Sequence, residues 1–308
     1  MDTSAKAGIW VIATGVVIAL LYLGRAIMAP FALAVFLFFV MEGFARIIDE
    51  RSELLKRGWS RAIAILTVLI GFVGFIALLA RGVAQFGAQS VSYERKINAL
   101  IGRPAKVICN EGGQRFLASI ANATGDLSGD VVLIFIYIGF LFLAQSAWPA
   151  KLDQIFPDTD KRAQAKTVGD AARRGIETYL WTQTVISALI TALTYVTLLI
   201  LGVENALFLA ALIFILNYIP TIGSIVAALV PPHFALVQPG VPDWVTGSDP
   251  RDAYVYAGLV FAGVSFWQFA IGNFLQPRMM GDSLNLAALV VLLALAIWGA
   301  LWGIPGMF

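Results

Sequence analysis

Three side-chain amides, Gln268, Asn273 and Gln276, fall within nine residues of a stretch, 253–277, that has no charged side chain; Pro277 closes it and Arg278 follows. An amide both donates and accepts hydrogen bonds, and an amide facing lipid is costly. The spacing therefore predicts amides that face protein, water or a polar solute. Such groups suit a polyol-like cargo better than a bare ion; the plainer alternative is that they only tie neighbouring helices together. Pro277 is expected to stop the helix, leaving Arg278 free to reach headgroups or a neighbouring carboxylate.

A second pattern lies in Asn217-Tyr218-Ile219-Pro220-Thr221-Ile222-Gly223, in the middle of the 38-residue charge-free run 205–242. Proline removes a helix N–H, and glycine lets backbone turn or approach closely. Asn217 can then satisfy a freed backbone group. Two readings stand side by side: a tight helical hairpin at the membrane surface, or a broken helix beside a transport path. The break Gly303-Ile304-Pro305-Gly306 echoes it faintly, with Pro305 and Gly306 as helix-break candidates. Pro231-Pro232-His233 reads as a third interruption. His233, the single histidine, has the chemistry of a proton shuttle, but its place at a span end favours an interfacial residue. Glu204, in the short segment Gly202-Val203-Glu204-Asn205, is a weak ion-coupling candidate or a loop-end residue. Glu42 and Arg25 border spans and are expected at interfaces.

Other chemistry is missing from the sequence. One cysteine, Cys109, allows neither an internal disulfide nor a cysteine-based metal cluster. There is no nucleophile elbow, no H-E-x-x-H pair and no phosphate-binding loop of the G-x-x-x-x-G-K-[ST] type. The chain is expected to be no enzyme and to need no cofactor and no metal.

The elements that must position these groups follow from composition. Of 308 residues, 59% are apolar and 13% charged, and mean hydropathy is +0.83. So few charges cannot solvate a soluble globule of this size, and a net charge of +2 offers nothing to attract nucleic acid. Charge-free windows run over 7–24, 26–41, 62–80, 131–150, 178–203, 205–242, 253–277 and 283–308. A bilayer core takes about 20 apolar helical residues, and lipid forces such spans to be helical. The fold class is therefore an all-α polytopic membrane bundle of about eight transmembrane helices, with proline-broken or re-entrant segments and a short amphipathic extramembrane region. The first apolar run is read as a span rather than a signal peptide, because it exceeds an ordinary hydrophobic region and no cleavage site follows. The organisation is 1–61 as a helical hairpin with its loop, 62–80 as a span, 81–130 as an amphipathic extracytoplasmic segment, 131–150 as a span, 151–177 as a cytoplasmic helix, and 178–308 as the bundle with broken helices.

Lys and Arg density orients it. Segment 46–61 holds five in 16 residues, 151–177 six in 27, and 81–130 six in 50. The first two are expected in the cytoplasm with the N-terminus, the third outside.

Asn217 through Gly223, Asn273 through Gly281, and Trp302-Gly303-Ile304-Pro305-Gly306-Met307 together resemble the AI-2E family, the autoinducer-2 exporter family of bacteria and archaea. Pro30 before an apolar run, and the stretch from Tyr179 to Thr184 opening a long span, fit as well, so the resemblance covers nearly the whole chain. It implies an inner-membrane permease that exports a small polar solute such as the quorum signal autoinducer-2. It also implies a homo-oligomer, a pentamer among the options, with membrane lipid and the solute as partners. Some relatives are proposed as Na⁺(Li⁺)/H⁺ antiporters, which keeps that alternative open; a scaffold that oligomerises without transport is another. Gly272 stands where family members often carry an acidic residue, a departure that counts against acid-dependent coupling. Relatives usually run further than Phe308, so the resemblance implies that part of the final segment is missing.

Overall fold

The computed structural model describes residues 3–51, 57–101, 111–156, 158–219, 222–238, 242, 244, 251–280 and 288–307. All regular elements among them are helices: α1 (Thr3–Leu23), α2 (Arg25–Arg51), α3 (Arg57–Ile101), α4 (Glu111–Ile155), α5 (Thr159–Ile200), α6 (Ala206–Leu216), α7 (Ile222–Val237), α8 (Arg251–Ala270), a π-turn (Ile271–Leu275), α9 (Gln276–Met280), α10 (Ala288–Trp302) and a 3₁₀ turn (Ile304–Met307). Helices satisfy their backbone groups internally, as an apolar chain in lipid requires. Among the described residues, four segments are long and apolar enough to cross a membrane: Arg25–Arg46, Ile65–Gln89, Thr159–Ile200 and Asp252–Met280. Shorter apolar helices cover Gly8–Leu23, Asp130–Gln145, Ala206–Leu216, Ile222–Val237 and Val290–Trp302. Large apolar side chains are outward-facing, Leu23 at 76% and Ile70 at 69% exposure, as lipid-facing positions should be.

The polar stretches expected as separate segments continue the helices of the apolar ones. α3 and α4 each have 45 residues and α5 has 42; at about 1.5 Å per residue each is roughly twice the bilayer core in length. The boundaries read at 80/81, 130/131, 150/151 and 177/178 all fall inside these helices. Nothing in the backbone marks them; the sequence changes polarity while the helix continues.

Two expected proline interruptions are not breaks. α7 runs through Pro231 and Pro232. Pro277 does not stop its helix but sits second in α9. The π-turn before it explains the tolerance: Gln276 N–H bonds back five residues to Ile271 O, and this wider turn accommodates the lost proline donor.

The chain divides into two compact units. The first is Met1–Phe39, Asp130–Asp170 and Asn285–Phe308. In it Phe31 meets Tyr137 at 5.6 Å and Phe38 meets Phe142 at 4.9 Å between ring centroids, which fastens α2 to α4. Trp302 Nε1 donates to Leu21 O at 3.1 Å, joining α10 to α1. After Gly303 (φ 70°), the 3₁₀ turn folds back on α10, so a side chain at Gly306 would strike the Trp298 carbonyl.

The second unit is Val40–Gly129 and Ala171–Leu284. Its core gathers Ile186, Ile190 and Leu198 of α5, Leu209 and Ile213 of α6, Phe234 of α7, and Val260 and Val264 of α8. Tyr93 of α3, within the segment expected to be amphipathic and extracytoplasmic, is fully buried here. It stacks on Phe86 at 5.1 Å and meets Phe234 edge-on at 5.3 Å. One aromatic face anchors the end of α3 to the core although its neighbours Arg95 and Lys96 are polar.

Candidate functional site

The break between α6 and α7 is built by close backbone approach. Tyr218 and Ile219 N–H groups bond to Ile215 O and Leu216 O at 3.0 and 2.9 Å. Gly223 N–H reaches Ile219 O at 3.0 Å. A Cβ at position 223 would overlap the Leu216 carbonyl, so only glycine lets α7 start this close to the end of α6. Pro220 and Thr221 lie outside the described residues.

Side-chain amides converge on this break. Asn217 caps α6 and is 6% exposed. Gln183 Nε2, on α5, donates to the Asn217 carbonyl at 2.6 Å. Gln268 Nε2, on α8, donates to Asn217 Oδ1 at 3.1 Å. Gln276 Nε2, on α9, donates to Gln183 Oε1 at 3.4 Å. Beside them Tyr218 OH donates to Thr184 Oγ1 at 2.8 Å. Asn217 Nδ2 is buried with no hydrogen-bond partner among the described residues. A buried donor left unsatisfied is costly, and an acceptor brought to this atom would relieve that cost.

The π-turn makes the convergence possible. Eight residues of unbroken α-helix would place Gln276 about 80° round from Gln268. One extra residue in the π-turn brings the two within roughly 20°.

The sequence-derived candidates separate on this map. Asn217, Gly223, Gln268 and Gln276 come together. Asn273 does not: it is exposed, and its Nδ2 donates to Phe269 O of its own helix at 2.9 Å. Pro277 and Arg278 are exposed next to the chain of amides. His233 is exposed, and its Nδ1 lies 2.7 Å from Leu229 O one turn back. Pro305 and Gly306 belong to the first unit. A cavity of about 440 Å³ opens in that same unit, with Arg25, Pro30, Asp130 and Trp302 in its lining.

Glu204 sits in a second polar cluster, at the opposite end of α5 and α6. Its backbone N–H donates to Gln238 Oε1 at 3.1 Å. Gln238 is fully buried, and its Nε2 lies 3.3 Å from Tyr256 OH, which donates to Leu201 O at 3.0 Å. Tyr93 OH donates to Gln89 Oε1 at 2.6 Å and lies 3.4 Å from Asn205 Nδ2. Burial first, and the neighbouring Glu204 charge second, push the Tyr93 hydroxyl up to about 12. Glu204 Oε2 is buried without a hydrogen-bond partner among the described residues.

Sequence reasoning missed a third group. Arg173 Nε donates to Glu177 Oε1 at 2.6 Å, Arg173 Nη2 to Glu42 Oε2 at 3.1 Å, and Arg46 pairs with Glu177. Glu42 is thus no free interfacial residue but one corner of a square joining α2 to α5. Gln183 was missed too. Its signal is a polar series on one face of α5, Gln183, Ser187, Thr191 and Thr194, of which all but Thr191 are buried.

The family model described as AI-2E family transporter matches residues 9–308, and the chain belongs to that family. It is 36% identical over 136 residues to the "Putative transport protein YhhT" of Escherichia coli (strain K12), covering 44% of this chain and 35% of that protein. It is 29% identical over 211 residues to the "AI-2 transport protein TqsA" of the same organism, covering 68% and 57%. A similar protein of Mycobacterium tuberculosis is 28% identical over 278 residues, covering 82% and 72%. The chain therefore spans about a third of the first relative and a little over half of the second. Membership makes it a multi-pass membrane protein of a transporter family.

Proposed function

We propose that this chain exports a small, neutral, hydroxyl-bearing solute across the inner membrane of a bacterial or archaeal cell, with autoinducer-2 as candidate cargo. The observation that carries the reading is the chain of amides Gln276–Gln183–Asn217–Gln268 at a glycine-sealed helix break, with the Asn217 Nδ2 donor unmet. Amides bond donors and acceptors alike and carry no charge, which matches hydroxyl groups rather than ions. A broken helix supplies free backbone groups at depth in the membrane. The relative TqsA, an AI-2 transport protein by name, supports this cargo. Lys and Arg density supports a cytoplasmic N-terminus, and a homo-oligomer fits the family.

A second reading, Na⁺(Li⁺)/H⁺ exchange, rests on the buried Glu204 oxygen beside Tyr93. Flux into reconstituted vesicles separates the two. Uptake of autoinducer-2 above that of empty vesicles supports the first. Proton movement driven by Na⁺ or Li⁺, with no autoinducer-2 uptake, supports the second. Neither flux from a folded, inserted protein leaves a membrane scaffold.

A further inference from the structure

The stripe on α5 extends well past the amide chain. Gln183, Ser187, Thr191 and Thr194 are spaced by four, four and three residues, so they share one face of the helix. Gln183, Ser187 and Thr194 are 5%, 0% and 0% exposed. Gln183 Nε2 approaches Ser187 Oγ at 3.5 Å. Beyond that the hydroxyls have nothing to bond: Thr191 Oγ1 and Thr194 Oγ1 are buried with no partner among the described residues. Ser265 Oγ on α8 is in the same condition. Two residues on, Trp267 Nε1 donates to Thr197 Oγ1 at 3.0 Å and fixes α8 against α5 there.

This is not the ordinary habit of threonine in this helix. Thr184 and Thr197, on either side, bond the carbonyls of Leu180 and Leu193 at 2.6 and 2.9 Å. That back-bond is the usual way a helix threonine is satisfied. Thr191 and Thr194 forgo it and point their oxygens elsewhere, at the cost of an unsatisfied buried group. A permanent water is a poor partner here. It needs two to four polar contacts, and the residues flanking Thr194 on its face are Ile190 and Leu198. A surface that is half hydroxyl and half hydrocarbon instead matches a polyol, whose own surface is divided the same way.

We propose that Thr191 and Thr194 form a second hydrogen-bonding station for the hydroxyl groups of a neutral solute, about 16 Å along α5 from the amide chain. The stripe then leads from the amides toward the Gln238–Tyr256 cluster at Leu201, about 27 Å from Gln183 along the helix. No charged side chain lies on it, so nothing on the stripe balances the charge of an ion, whereas a neutral solute needs no such balance. This inference rests on the transport reading above and adds the path beyond the first site.

The test uses the full chain in vesicles, with autoinducer-2 and xylitol as probes. Thr194→Val keeps the shape and removes the oxygen. Flux of a transported probe is expected to fall about fivefold, the scale of one lost hydrogen bond, with the melting temperature unchanged or raised. Thr194→Ser, which keeps the hydroxyl, is expected to restore most of the flux. Unchanged flux in Thr194→Val overturns the station while leaving the transport reading intact. A lowered melting temperature overturns it as well, since it shows a hydroxyl with a structural partner. Absence of flux for both probes in the unsubstituted protein overturns the transport reading and the station together.

Discussion

Gln183 Nε2 lies 2.6 Å from the carbonyl oxygen of Asn217, so a side chain in the middle of one long helix satisfies the last backbone carbonyl of another just where that other helix breaks. The bond places an amide at the break and holds the break open. Gln183→Leu removes it and leaves a buried carbonyl unpaired. The expected cost is about 1–3 kcal/mol, read as a lower melting temperature, together with loss of autoinducer-2 flux.

Asn273 and Gln276 are three residues apart and should behave differently. Gln276 reaches Gln183 on another helix, whereas Asn273 bonds only its own helix from an exposed position. Asn273→Ala is expected to change stability by no more than about 0.5 kcal/mol and to leave flux intact. Gln276→Ala should reduce flux severalfold. Equal losses from both would place the solute on the outer face of the π-turn instead.

These two residues also show how far the sequence could be read. The charge-free window and its amides pointed to a polar site on one helix, and the helical class followed from hydropathy alone. The π-turn was hidden, because no residue type signals an i+5 bond, and it alone decides which amide faces inward. Gln183 was hidden because its partners lie 34 and 93 residues away and its own window holds no other amide. Glu42 and Arg173 are 131 residues apart, and nothing in either segment names the other. What periodicity and composition report is local; pairing across helices is not.

Gly223→Ala tests whether the break depends on close approach. The added methyl overlaps the Leu216 carbonyl, and rigid backbone has little room to yield. A loss of about 1–3 kcal/mol is expected, with flux falling alongside. Gly258, with open space around the same position, should accept alanine with no loss of stability, and melting curves of the two variants make the comparison.

Tyr93 gives a pH dependence with a definite sign. Its hydroxyl is raised from the usual 10 to about 12, by burial and then by Glu204. The folded state therefore favours the protonated form. This contribution is complete below pH 10 and is lost as pH rises from 10 through 12. Tyr93→Phe should flatten that part of the melting-temperature profile. A profile identical to that of the unsubstituted protein would assign the alkaline loss to other groups.

The ion-pair square gives the last prediction, and it bears on topology too. Arg46 belongs to one Lys/Arg-rich stretch and Arg173 and Glu177 to another, and both stretches are expected in the cytoplasm from density alone. Arg46 pairs with Glu177, so the two stretches meet on one side of the membrane whatever that side is. The carboxylates are buried, at 9% and 5% side-chain exposure, while the arginines are 38% and 40% exposed. Removing Arg46 leaves Glu177 with Arg173 as its remaining partner, and water reaches the arginine end and screens the pair. Arg46→Met should therefore cost about 1–2 kcal/mol, less than the 3–5 of a fully buried pair. In a Cys109→Ser background, an impermeant thiol reagent applied to intact cells should label Arg95→Cys and not Gln164→Cys. Labelling of Gln164→Cys alone would invert the orientation while leaving the Arg46–Glu177 contact, and the shared side it demands, unchanged.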